Sequence, residues 1–447
     1  MRITFPSVWI LGVLCMVFAA HSAPEYRQIQ AQEVRTRGGI GHTMAKINAG
    51  QEVTVAYLGG SITAMNGWRN KTTEWLQTTY PKAKFKEVHA AIGGTGSDLG
   101  VFRLGRDVLA HCPDLLFVEF ATNDGGTAPE QIWRSMEGIV RQTWKQDPQT
   151  DIVFTYTITT AFTNDYCKGL CNRSASAMEL LADHYAIPSI NFGPRVAALI
   201  NENKLIMDAK VIETAVPKES ADRDRLIRER IAADPRLLFA NDGVHPRDEG
   251  HDLYKASIIE GLTQMKNMPP VDRASKLAVP FVADHWEAAK MVPITRAMLS
   301  GEWTALPPED GKQKAFGARM GQIWTAEKPG SALHFRFKGR IAKIYDLLGP
   351  DGGQVIITVN GQRSTTKPVP RFDSYCTYHR IATLGVVWDG NDPQQVHDVT
   401  VEIYPEQPDR KSVAFRLKDP DTELKSPKYQ GTRVWVSQLM LIGDLVE

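Results

Sequence analysis

The 447-residue chain lacks an excess charge of either sign: 52 Lys and Arg stand against 51 Asp and Glu, a formal net charge of +1. A chain so balanced has no electrostatic footprint for nucleic acid or for an anionic membrane surface. Cysteine is scarce, five in all, and no His or further Cys near Cys167 and Cys171 completes a zinc site. There is no internal repeat and no low-complexity tract. Long apolar runs are missing beyond the N-terminus, where Val8 to Ala20 is short for a membrane span. That run follows Arg2 and ends in Ala20 and Ser22 at the −3 and −1 positions of a secretory signal peptide. Export over residues 1–22 is therefore expected, without stable membrane insertion. What remains is globular in composition, 43% hydrophobic and 23% charged, and too long for one hydrophobic core, so two domains are expected.

Export would make disulfides permissible for Cys112, Cys167, Cys171 and Cys376. The segment "CKGLC" can close a local loop between Cys167 and Cys171, which is the expectation, with two unpaired thiols as the alternative. "NKT" at Asn70 and "NRS" at Asn172 are glycosylation sequons, relevant only in a eukaryotic secretory pathway.

From about residue 50 to 267, β-rich runs alternate with helical periodicity: "VTVAYLGG" then "GWRNKTTEWLQTTY", "KFKEVHAAIGG" then "DLGVFRLGRDVLAHC", "DLLFVEFATND" then "PEQIWRSMEGIVRQTWKQ". "DIVFTYTIT", "IPSINFG" and a last helix from "DEGHDLYKASIIEGLTQM" continue the series. This alternation predicts a doubly wound parallel sheet with helices on both faces, and "DLLFVEF" is apolar enough to be covered on both. A Pro-rich passage follows. Beyond it the pattern is all β, with an Asn-Gly hairpin signal in "QVIITVNGQ". The predicted layout is an α/β domain over 23–268, a linker over 269–296 and a β-sandwich of jelly-roll type over 297–447.

Ligands of open α/β sheets bind beyond the carboxyl ends of the strands, and four stretches fall there. In "LGGSIT" glycines turn the chain sharply and let Ser61 present its hydroxyl, although a serine before a helix is more often a cap. "HAAIGGTGSDLG" offers backbone N–H groups to an anion; it does not fit the dinucleotide pattern G-x-G-x-x-G. "FVEFATNDGG" places Asn123, whose amide can stabilise an oxyanion, at the end of the most apolar strand, where Asn and Asp also serve as turn formers. In "NDGVHP", Asp242 precedes His245 by three residues, a distance at which a carboxylate can fix the imidazole tautomer.

Taken together and in this order, "GGSIT", "AIGGTGS", "FATND" and "DGVHP" resemble the four blocks of the GDSL-type lipases and esterases, also called SGNH hydrolases. The resemblance covers roughly residues 50–267 and implies a flavodoxin-like sheet. It also implies a nucleophile at Ser61, a general base and acid at His245, and Asp242 orienting His245. An oxyanion hole would follow from the N–H groups of Ser61 and Gly94 and the amide of Asn123, with Gly96 replacing Gly94 if the turn is shifted. No metal or organic cofactor is implied. One departure is Gly60, where the family usually has Asp, which puts the bracing of the turn in doubt.

An exported chain with this hydrolase fold and an appended β domain resembles the polysaccharide deacetylases, and that resemblance implies removal of O-acetyl groups from a carbohydrate, with an acylated carbohydrate as the expected partner. The alternatives are a lipase or thioesterase acting on longer acyl esters, and an inactive glycan-binding protein. No motif bears on oligomeric state. His89, His111, His184, His251 and His285 lack matching partners and read as structural, His251 as a surface residue. Trp68 reads as core and Arg69 as solvated, with the substrate cleft as their alternative place. "KESADRDRLIRER" reads as an exposed helix face.

Overall fold

The computed structural model describes residues 24–446 apart from Ala221, Cys376 and Asn391. The expected signal segment, 1–22, lies outside the described residues, as does Cys376. No helix among the described residues is long and apolar enough to cross a membrane.

The first layer is a six-stranded sheet. Its strands are Val34–Arg35 (β1), Glu52–Gly59 (β2), Lys84–His89 (β3), Leu115–Glu119 (β4), Asp151–Tyr156 (β5) and Ser189–Asn191 (β6). Their spatial order is β1-β6-β5-β4-β2-β3. All neighbours pair in parallel except β1, which adds an antiparallel edge. The five parallel strands thus have the flavodoxin-like order, reversing direction at β2 and β4. All five residues of β4 are buried, as a central strand with helices on both faces requires. Helices Ser97–Asp107, Pro129–Gln146 and Arg173–Tyr185 cover one face. Helices Gly41–Asn48, Trp68–Thr79, Gly193–Asn201 and Asp248–Met265 cover the other.

Between the last two of these helices lies an excursion with its own small parallel pair, Leu205–Asp208 (β7) and Leu237–Ala240 (β8). Its helix Arg223–Ala233 buries only Ile227, in keeping with its run of charges.

The C-terminal part is one antiparallel network of eleven strands. The long strand Ala332–Leu348 organises it: one edge pairs with Val434–Leu445, while the other pairs with Val396–Ile403 over its first half and Arg380–Val387 over its second. Register shifts at Gly339, where Gly339 (φ 156°) and Gly443 (φ 145°) approach so closely that a side chain on either would strike the other strand. Ala289–Pro293, within the passage read as linker, pairs with Val434–Leu445.

The two parts are in direct contact. Lys343, on the long β strand, bonds Asp98 at 3.1 Å and lies over the rings of Phe102 and Trp286. Trp286 is buried against helix Pro129–Gln146, where Gly138 leaves room for its backbone.

The expected disulfide is not formed: Cys167 and Cys171 are both free. Cys171 is buried in the core on one sheet face and accepts a hydrogen bond from Asn191 Nδ2, whereas Cys167 packs against the core on the other. The sequon residue Asn172 is 2% exposed, its amide bonded to Tyr166 and Ser174, so that side chain is not open to a glycan.

Candidate active site

The reversal of strand order between β2 and β4 opens a crevice beyond their carboxyl ends. Ser61 follows β2 and Asn123 follows β4, so topology alone sets the two turns side by side. Ser61 is the first residue of a one-turn helix, Ser61–Ala64. Its N–H therefore has no carbonyl one turn earlier to bond.

His245 reaches Ser61 from the other end of the domain. The Ser61 hydroxyl donates to His245 Nε2 at 2.8 Å, and His245 Nδ1–H donates to Asp242 Oδ2 at 2.7 Å. Asp242 Oδ1 accepts the backbone N–H groups of Val244 (2.9 Å) and His245 (2.8 Å), which makes the three-residue spacing a closed turn. Partial burial alone would raise the Asp242 carboxyl, but the hydrogen bonds from His245 and Val244 outweigh it and hold the carboxyl down at about 2. It is thus a carboxylate wherever a serine hydrolase works. Gly243 (φ 72°) makes the turn possible, and a Cβ there would also strike Thr160 and come within 2.7 Å of Asp208 Oδ2. Asp208, from the excursion, and Thr160, whose N–H donates to Gly243 O at 2.8 Å, fix the loop from behind.

The glycine-rich turn also comes to Ser61: the Cβ position of Gly93 lies 3.6 Å from Ser61 Cβ, and the next residue, Gly94, has φ 72° and open space around it. Gly96 lies farther along, capping helix Ser97–Asp107 and pressed against Asp124. The half-exposed amide of Asn123 sits directly over Gly60. The structure therefore brings Ser61, Gly94, Asn123, Asp242 and His245 into one crevice. With a serine, a tautomer-fixed imidazole and N–H donors beside the hydroxyl, the arrangement has the parts of acyl transfer.

Two sequence readings are corrected. His251 is not a surface residue: it is 2% exposed, its Nδ1 accepts the Trp68 N–H at 3.2 Å, and burial followed by Lys71 lowers its pKa to about 4. Arg69 is not solvated but buried beneath the crevice, paired with Glu87 and bonded to Thr63 O. At Gly60, the departure from the usual Asp, the structure shows what stands in the space of a side chain. The backbone there (φ −91°, ψ −155°) suits any residue, but a Cβ would collide with Asn123 Oδ1, so glycine admits the amide. Trp68 is core, packed edge-on to Tyr57 and Phe117.

One acidic residue was missed and another, Asp124, was read only as a turn former. Glu119, the one charge in strand β4, is buried beneath the Ser61 turn and accepts the hydroxyls of Thr63 and Thr157. Burial raises its pKa, and those hydrogen bonds oppose the rise. Asp124 accepts the Ser97 N–H at 3.1 Å, and burial pushes its carboxyl up to about 7 against the pull of Ser97. An acid in an otherwise apolar strand was the available signal for the first.

Residues 57–253 match the model of the family described as GDSL-like Lipase/Acylhydrolase. No curated protein matches the chain. Among solved structures, a two-domain esterase (CEX) active on acetylated mannans, co-crystallized with mannopentaose, is similar with a TM-score of 0.66 at 18% identity, covering 94% of this chain and 99% of its own. A second structure of that esterase is similar with a TM-score of 0.66 at 18% identity, covering 93% of this chain and 98% of its own. At this identity the likeness is one of fold, and it extends over both parts of the chain. The lipase/acylhydrolase from Enterococcus faecalis (15% identity, TM-score 0.31) covers 49% of this chain and 98% of its own.

Proposed function

We propose that the protein, whose residues 57–253 match the GDSL-like lipase/acylhydrolase model, is an exported serine esterase that removes O-acetyl groups from a carbohydrate. Ser61 attacks the ester carbonyl as His245 Nε2 takes its proton. The oxyanion is held by the N–H groups of Ser61 and Gly94 and by the Asn123 amide. His245 returns the proton to the leaving alcohol, and water then repeats the cycle on the acyl-enzyme. Asp242 keeps the imidazole in the tautomer that leaves Nε2 free to accept.

The observation that carries this reading is the unbroken hydrogen-bonded chain from Ser61 through His245 to Asp242, 2.8 Å and then 2.7 Å. The carbohydrate follows from the two-part architecture shared with the acetyl-mannan esterase over 94% of the chain. Export follows from the pattern of residues 1–22. The test is hydrolysis of a short acetyl ester by the wild type and by Ser61→Ala: equal rates would remove the enzyme reading. Comparing acetyl with octanoyl esters then separates acetylesterase from lipase, and release of acetate from acetylated polysaccharides, mannan first, identifies the substrate class. Asn123→Ala should lower kcat by about a hundredfold to a thousandfold, the scale of one lost oxyanion donor.

A further inference from the structure

Glu119 ends β4 and is 1% exposed. A carboxylate taken out of water this completely persists only where donors replace the water. Two hydroxyls do so: that of Thr63 donates to Oε2 at 2.9 Å and that of Thr157 to Oε1 at 2.8 Å.

These groups come from the ends of three strands: Thr63 belongs to the turn after β2, Glu119 ends β4, and Thr157 follows β5. Thr122 and Thr157 are joined to each other by a 2.6 Å hydroxyl bond. Thr63 lies in the one-turn helix that Ser61 begins, and Thr122 immediately precedes Asn123. One carboxylate therefore ties the helix of the nucleophile, through Thr157, to the turn that carries the amide facing it. Position 60 cannot supply such a brace itself, because a side chain there would occupy the space of the Asn123 amide. The support comes instead from the floor of the crevice.

We propose that Glu119 is a positioning residue that sets the spacing of Ser61 and Asn123 through its bonds to Thr63 and to Thr157, which in turn holds Thr122. This rests on the esterase reading above. Misplacing one reacting group by about an ångström costs on the order of a hundredfold in rate, so the effect belongs in kcat.

The experiment compares wild type, Glu119→Gln, Asn123→Ala and the double variant on a short acetyl ester, with rates referred to the folded fraction measured by thermal unfolding. Gln keeps the volume of Glu but turns one acceptor into a donor facing the threonine hydroxyls. Glu119→Gln is expected to lower kcat by about tenfold to a hundredfold with KM within about twofold. The double variant should fall well short of the product of the single effects, because both changes act on the same amide. An unchanged kcat per folded molecule, or strictly multiplicative effects, overturns the proposal while leaving the esterase reading standing. A wild type no faster than Ser61→Ala overturns both. If Glu119→Gln does not fold, Thr157→Val removes one donor and leaves the carboxylate. A several-fold loss of kcat at constant KM then supports the proposal, and an unchanged kcat overturns it.

Discussion

Position 60 holds glycine for reasons of space rather than backbone freedom, since its φ of −91° is open to every residue and its Cβ direction is filled by Asn123. The aspartate usual in GDSL-type hydrolases should therefore do harm here. Gly60→Asp is expected to lower kcat on an acetyl ester by at least about tenfold by displacing the amide proposed to hold the oxyanion, measured beside the unfolding midpoint to separate misplacement from misfolding. Asp124 makes a different prediction. Its carboxyl lies at about 7 in the folded protein against an ordinary value of 3.8, so between those limits the folded state binds more protons than the unfolded one. Stability from this group then falls as pH rises from about 4 to about 7 and stays low above. Asp124→Asn should remove that fall: the unfolding midpoint of the variant relative to wild type should rise across the same window. A flat difference would contradict the assignment. These local chemistries differ in how far they could be read in advance. Ser61, Asn123, Asp242 and His245 stand at strand ends in recognisable company. Glu119 and Asp124 owe their behaviour to burial, which depends on what the rest of the chain lays over them.

At the scale of elements, the residues of the proposed site are held by turns, and the turns by helices. Helix Asp248–Met265, which follows the His245 loop, docks on helix Trp68–Thr79, which follows the Ser61 turn, through His251 and the Trp68 N–H. Gly67 allows that contact, for a Cβ there would strike the His251 ring. The two helices thus carry the two halves of the Ser61–His245 pair and are joined behind it. His251→Leu leaves the buried Trp68 N–H without an acceptor and should destabilise the protein by about 1–3 kcal/mol, checked by denaturant unfolding. The alternation of strands and helices was legible because each period reflects its own burial pattern. The antiparallel edge β1 was not, being two residues long, nor was the pair β7–β8, whose stability comes from packing rather than length. His251 escaped notice for a related reason. The helix bearing it has no clean apolar stripe, so the sequence around it does not mark which face is buried.

For the whole molecule, the seam between the two parts passes close to the crevice. Lys343 of the β part bonds Asp98 in the first turn of helix Ser97–Asp107, the helix that begins where the glycine-rich turn ends. The lysine side chain is 7% exposed and that of Asp98 35%, so loss of the ammonium leaves a partly screened carboxylate. Lys343→Ala should cost about 1–3 kcal/mol, below the range for a wholly buried pair, and the measurement is again a denaturant melt. Amino-acid order by itself determined the α/β alternation, the change to an all-β texture and the four short blocks, since these rest on periodicity, turn chemistry and local spacing. Only the tertiary structure decided that Ser61 and His245, 184 positions apart, share a 2.8 Å hydrogen bond, that Cys167 and Cys171 face different cores, and that Gly60 gives way to Asn123 above a buried Glu119. Such facts depend on which distant segments meet and exclude water from one another, and no local pattern records that meeting.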